Sequence, residues 1–187
     1  NRLLDAAVAP VLETDLSEQD ANALKAAFKA LAKKDMATAT TLQRSIRNPV
    51  ARKLVTWDRL RRGLGSRSET ERFLNDNPRW PNRWKLITQV ETKLFDSRDH
   101  DATLAFFANA EPTSGLGAAA LASAHLATGD KTKANALVRE TWRNGKFKSD
   151  EEKAFLERHG DRVTAADHKW RLDRLLTTDF RWRSTRK

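Results

Sequence analysis

The sequence predicts an all-α protein, a right-handed superhelical array of αα-hairpins of the TPR-like kind with about ten helices. Apolar residues recur at spacings of three and four, and no stretch alternates with the period of two that a strand requires. Helix-opening residues stand about 16 positions apart, so that two helices fill roughly the 33 residues of a helical-hairpin repeat. One hairpin also has a partial copy. Asp35, Ala39 and Leu42 reappear 95 positions later as Asp130, Ala134 and Leu137, and Leu31 and Ala32 match Leu126 and Ala127.

Taken in order, residues 1–16 hold Leu3, Leu4, Val8 and Val11 around a Pro10 break, and are expected to form an arm or short helix. The superhelical domain is expected over 17–187. Ser17 opens a helix with Glu18 and Asp20 in the positive first turn and Leu24, Ala27, Phe28 and Leu31 as its apolar stripe. Asp35 opens the next, carrying Ala39, Leu42 and Ile46. Asn48-Pro49 is a cap followed by proline in the first helical position, and that helix runs through Leu54, Trp57 and Leu60 to Gly63. Ser68-Glu69-Thr70-Glu71 reads as a capping box before Phe73 and Leu74, with Pro78 as the stop. Trp80-Pro81 is expected to start a helix through Trp84, Ile87, Glu91 and Leu94. Asp99 or Asp101 starts one through Leu104, Phe106 and Phe107 that ends before Pro112.

The stretch from Ala119 to Arg143 is the plainest hairpin. Ala118, Leu121, Ala122 and His125 share one helix face, and Ala134, Leu137, Val138 and Thr141 share another. Between them Gly129 can take the left-handed conformation that closes a helix, and Asp130 can cap the next one. Ser149-Asp150-Glu151-Glu152 reads as a further capping box before Phe155 and Leu156, closed by Gly160. Thr164 caps the last strong helix, with Trp170, Leu172, Leu175 and Leu176, and Asp179-Phe180-Arg181-Trp182-Arg183 begins a looser segment.

Thirty-five Lys and Arg against 25 Asp and Glu leave a net charge of +10. That excess favours a partner rich in phosphate or carboxylate: nucleic acid, an anionic membrane surface or a cell-wall polymer. With no Cys, disulfides and thiolate metal sites are excluded. No apolar run approaches the roughly 20 residues that span a bilayer.

Acid–base chemistry has no obvious seat. Glu18, Glu69, Glu71, Glu151 and Glu152 fall in helix first turns, where capping explains them, while Glu91 and Glu140 lie mid-helix among polar neighbours and read as ion-paired or solvated. The four His are dispersed. Asp99-His100-Asp101 does not converge on a metal from consecutive positions, His159 precedes Gly160 at a helix end where positive charge suits the dipole, and structural roles are expected for His125, His159 and His168. Gly115-Leu116-Gly117 lacks the spacing and preceding strand of a phosphate loop. No catalytic residue, metal ligand or cofactor is therefore assigned. Of the six Trp, Trp57, Trp84, Trp142 and Trp170 are expected in the core, and Trp80 and Trp182, near element ends, are the candidate exposed platforms. Arginines concentrate around Arg59, Arg61 and Arg62 and again at Arg171, Arg174, Arg181 and Arg183; with the two platforms they form the candidate partner-binding surface.

Several of these residues resemble a known family. Phe73-Leu74 and Trp80-Pro81, the Ala-His-Leu-Ala-Thr-Gly-Asp turn at 124–130 with Leu137-Val138-Arg139 and Trp142, Phe155-Leu156 with Gly160, and the run Asp167-His168-Lys169-Trp170-Arg171-Leu172-Asp173-Arg174-Leu175-Leu176 look like the α-superhelical segment of soluble lytic murein transglycosylases. The similarity covers about residues 68 to 183, and the Asp167 to Leu176 run is its most specific part. The resemblance implies a periplasmic scaffold acting beside a lysozyme-like catalytic domain in peptidoglycan turnover. That family's catalytic Glu is followed directly by Ser, and this chain has no Glu-Ser dipeptide, so no catalytic residue is transferred. The expectation is a segment that stops before the catalytic domain. Its partners would be that domain and peptidoglycan, met through the basic surface. A general protein–protein interaction module is the alternative, and nucleic-acid binding ranks third for want of a recognised motif.

Overall fold

Side-chain caps written in the sequence set most of the helix starts. In the computed structural model, which describes residues 16–177, ten α-helices and one 3-10 turn follow one another, with no strand among the described residues. They are α1 (Glu18–Ala32), α2 (Met36–Ser45), α3 (Pro49–Arg61), α4 (Arg67–Asp76), α5 (Arg83–Ser97), α6 (His100–Phe106), α7 (Gly115–Ala127), α8 (Lys131–Asn144), α9 (Ser149–His159), the 3-10 turn Gly160–Arg162 and α10 (Ala165–Thr177). The protein is all-α. The expected arm, Leu16 apart, and the segment holding Arg181, Trp182 and Arg183 lie outside the described residues.

Ser17, Asp35, Asn48, Asp99 and Asp130 each accept a first-turn amide through the side chain, as the sequence predicts. Three starts differ. The box before α4 is formed by Ser66 and Glu69: the Glu69 amide donates to Ser66 Oγ at 3.1 Å and the Ser66 amide to Glu69 Oε2 at 2.8 Å, two positions before the expected pair. Before α9 the amide of Lys148 donates to Glu151 at 3.0 Å, which moves that box back by one residue. Helix α5 starts at Arg83, after Asn82 has turned through the left-handed region at φ 55°, so Trp80-Pro81 precedes the helix and does not open it.

The helices group into two compact units, the first ending at Asp76 and the second beginning at Asn77. In the first, Ala27, Leu31, Ala39, Ile46, Ala51 and Val55 form the core of α1, α2 and α3. Asp20 does more than complement a helix dipole. Its buried carboxylate accepts the amides of Arg47 at 2.9 Å and Asn48 at 2.8 Å, fixing the α2–α3 junction against α1, and these backbone bonds hold its pKa below the ordinary value.

The second unit is arranged around α7, whose small residues let four neighbours approach: α5, α6, α8 and α9 all pack on it. Residues 115–120, Ala122 and Ala124 are buried, so this helix is enclosed on nearly every side and is no ordinary amphipathic member of a hairpin. Its two glycines are required by contact. A Cβ at Gly115 would fall 2.1 Å from the Phe147 ring, and one at Gly117 would fall 2.5 Å from the Glu91 carboxyl carbon. Across α8 and α9, Trp142 stacks on Phe155 with centroids 5.9 Å apart, and Phe147 lies 5.0 Å from Phe155.

The copy detected in the sequence holds hydrogen bond by hydrogen bond. Asp35 donates its amide to Ala30 and Lys34 to Leu31; Asp130 donates to His125 and Gly129 to Leu126. Lys34 at φ 60° and Gly129 at φ 86° take the same left-handed position, and Ala39 and Ala134 are equally buried.

Candidate functional site

The candidate partner-binding residues divide by environment. In the first unit Arg59 donates to Glu69 at 2.9 Å, and this bond, with the Ser66 amide, lowers the Glu69 pKa to about 2. Arg61 and Arg62 share one acceptor, the buried carboxylate of Asp58: Arg62 Nε lies 2.7 Å from one oxygen, and an Arg61 nitrogen pairs with the other. Arg61 also lies over the Trp57 ring, 4.9 Å from its centroid. Two guanidiniums on one carboxylate leave net positive charge on this side of α3, and each side chain remains about a third exposed. This part of the candidate surface is accessible. Trp80 is half-buried between α4 and α5 in sequence, a poorer platform than its position at an element end suggests.

Arg171 is a correction. It is 5% exposed and serves the interior: its Nη1 donates to the carbonyls of Trp142 at 2.9 Å and Gly145 at 3.1 Å, its Nη2 pairs with Glu152 at 3.2 Å, and its plane lies 4.5 Å from the Trp142 centroid. Arg174 follows the same pattern, donating to the Arg143 carbonyl at 2.8 Å. Ahead of them Asp167 is fully buried. It accepts from the Thr164 amide at 2.8 Å and hydroxyl at 2.7 Å, and it pairs with Arg143 at 2.6 Å and Arg139 at 3.6 Å. Burial works to raise its pKa, but the Thr164 bonds and Arg143 outweigh it, and the value falls below the ordinary one. His168 sets its ring edge-on to Trp142 at 5.1 Å. Asp167, His168, Arg171 and Arg174 thus clamp α10 to the end of α8, while Lys169 and Asp173 pair with each other at the surface. The two arginines recognise main chain that the last turn of a helix leaves unbonded.

The tryptophans also redistribute. Trp142 is core, as expected, but Trp84 is 57% and Trp170 56% exposed, the Trp170 ring meeting only the edge of α8, where the Arg143 guanidinium lies 5.7 Å from its centroid. Trp170, Leu172 and Leu176 leave apolar surface on α10.

Glu91 is the residue whose environment the sequence conceals. It is neither ion-paired nor solvated. Fully buried on α5, it accepts from the Thr113 amide at 2.6 Å, the Thr113 hydroxyl at 3.0 Å and the Ser114 hydroxyl, while Ser114 in turn caps α7. Burial raises its pKa against the pull of these donors. A raised carboxyl pKa is what a general acid needs, yet Gly117 closes over the group, and no substrate oxygen reaches it. The only early sign was the Thr113-Ser114 pair just ahead of a glycine-flanked helix start.

His159 is structural, as expected, but it works inside the fold and not as a charge at the helix end. It is 1% exposed, its Nε2 lies 2.9 Å from the Ala119 carbonyl and 3.1 Å from Ser123 Oγ, and burial pushes its pKa down, so it is a neutral packing residue and no cationic helix end. No group of three or more His, Cys, Asp or Glu able to hold a metal occurs among the described residues, and none of the described helices is long and apolar enough to cross a membrane.

No protein-family model matches the chain, and no curated protein or solved structure matches it at a significant level.

Proposed function

We propose that this chain is a non-catalytic superhelical scaffold segment of a periplasmic lytic transglycosylase acting in murein turnover, and that it meets the cell wall through its surface arginines. The observation that carries the reading is the Asp167 to Leu176 run. Of the residues that make it resemble the transglycosylase superhelix, Asp167 and Arg171 fasten α10 to α8, so part of the likeness falls on residues with a demanding structural task, while Leu172, Asp173 and Leu176 lie at the surface. The matching turns at Asp35 and Asp130 support a repeated αα-hairpin as the building unit of the proposed array. Arg61 and Arg62, two cations on the single carboxylate of Asp58, supply the accessible positive charge that muropeptide carboxylates would meet, and Arg59 beside them is held to Glu69.

The sealed environment of Glu91 supports a scaffold role, because the carboxyl with the raised pKa is spent on holding Thr113 and Ser114. Incubating the chain with purified sacculi tests this directly. Turbidity should hold steady with no soluble glycan released, and release of glycan fragments would overturn the non-catalytic reading. A helical-repeat interaction module is the second reading, favoured by the exposed Trp170, Leu172 and Leu176 of α10.

A further inference from the structure

The sequence holds a single Asn-Gly pair, Asn144-Gly145, and it stands at the end of α8 where the arginines of α10 take hold. In such a pair the glycine nitrogen can attack the preceding side-chain amide with no Cβ in its way. The Gly145 nitrogen loses its proton to water and bonds to the side-chain carbonyl carbon of Asn144; the bond from that carbon to the amide nitrogen breaks, and ammonia leaves. Water then opens the resulting cyclic imide at either carbonyl, which leaves an aspartyl or an isoaspartyl residue.

The folded chain holds the reacting groups apart. The Gly145 amide donates to the Thr141 carbonyl at 2.7 Å as the cap of α8, and the Asn144 side chain is drawn one turn back, donating to Glu140 at 2.8 Å. The two meet only if the last turn of α8 opens, and that turn is what α10 secures. Arg171 donates to the carbonyls of Trp142 at 2.9 Å and Gly145 at 3.1 Å, and Arg174 to those of Arg143 at 2.8 Å and Gly145 at 3.4 Å. Asn144 itself is exposed, so water already reaches it. Nor can another residue replace the glycine cheaply: a Cβ at position 145 would collide with the Thr141 carbonyl oxygen and crowd the Phe147 ring at 3.1 Å.

The product closes less well than the original. A carboxylate at position 144 loses the bond to Glu140, faces its charge one turn away and adds negative charge to a helix C-terminus. The isoaspartyl form also routes the chain through the side-chain carbon, which lengthens the link to Gly145 and shifts the carbonyl that Arg171 and Arg174 share.

We propose that Asn144-Gly145 is a deamidation site gated by α10: closed while Arg171 and Arg174 hold the end of α8, open when α10 lets go, and marked irreversibly once used. The device is separate from the surface invoked for the cell wall, and it stands whether or not the chain touches murein.

The test follows deamidation of the whole chain in mildly alkaline buffer, by mass spectrometry after cleavage at glutamates and by labelling with isoaspartyl methyltransferase. Conversion at position 144 should be at least about tenfold faster in unfolding urea than in buffer, and should already rise in urea too dilute to unfold the protein, because local opening precedes the main transition. Arg174→Gln, checked for an unaltered circular dichroism spectrum, should raise the rate in buffer about threefold or more, while Arg59→Gln in the first unit should leave it unchanged. Equal rates in buffer and in unfolding urea, a rate that rises only with global unfolding, indifference to Arg174→Gln, or an equal response to Arg59→Gln would each overturn the proposal.

Discussion

Two arginine clusters that look alike in sequence behave in opposite ways. On α3, Arg59, Arg61 and Arg62 pair with side-chain carboxylates and stay partly in water. On α10, Arg171 and Arg174 reach inward to the carbonyls of Trp142, Arg143 and Gly145. The difference lies in what faces each helix. The end of α8 presents carbonyls with no helical donor, and a guanidinium is the side chain with enough donors in one plane to satisfy several of them. The α3 arginines find carboxylates on α3 itself and on α4, and those leave the cations at the surface. A count of arginines therefore does not measure a binding surface; only cations that the fold leaves accessible do so.

The contrast is broken most severely at Arg171. Arg171→Ala should destabilise the protein by about 3 kcal/mol or more in urea unfolding, because it leaves buried carbonyls and the Trp142 face without their partner. A loss under about 1 kcal/mol would place Arg171 with the surface cluster. Glu91→Ala should cost about 2 kcal/mol, since three donors at the start of α7 lose their acceptor.

The pH dependences of the two buried acids should differ in sign. Asp167 has a lowered pKa in the folded protein, so its contribution is present above the unfolded value near ~3.9 and fades as pH falls through the folded one. Asp167→Asn should flatten the acid limb of the stability curve. Glu91 has a raised pKa, so the unfolded chain ionises first and stability declines as pH rises from about 4.3 toward the folded value. Glu91→Gln should remove that decline; a decline unchanged in the variant would show another group to be responsible.

The gentlest test lies on the α3 side. Arg59→Gln should return the Glu69 pKa from about 2 toward the ordinary value near ~4.3, visible by carboxyl NMR, while stability changes by less than about 1 kcal/mol.

Much of the architecture was legible because it is locally encoded. Asp35, Asn48, Asp99 and Asp130 announce helix starts through residues within three positions of themselves, and the Asp35 to Asp130 copy survives down to the left-handed residue before each cap. Features that depend on distant residues were not legible. Arg171 is buried because carbonyls 26 and 29 positions earlier need it, and Glu91 because a loop 22 positions later supplies its donors. Neither spacing nor composition encodes such separations. Trp84 and Trp170 were misplaced for a related reason: helical periodicity identifies an apolar face but not whether a neighbour covers it.

The central claim, that accessible and not merely numerous arginines carry the cell-wall contact, is tested most directly by co-sedimentation with purified peptidoglycan sacculi across a salt series. The protein should sediment with the sacculi at low ionic strength and be released as salt shortens the Debye length to about 10 Å near 0.1 M. A variant with Arg59, Arg61 and Arg62 all changed to Gln, and Asp58 changed to Asn so that no buried carboxylate is left without its cations, should lose most of the binding while its far-UV circular dichroism stays that of the unaltered protein. Failure of the unaltered protein to co-sediment at low salt, or undiminished binding by this variant, would contradict the account.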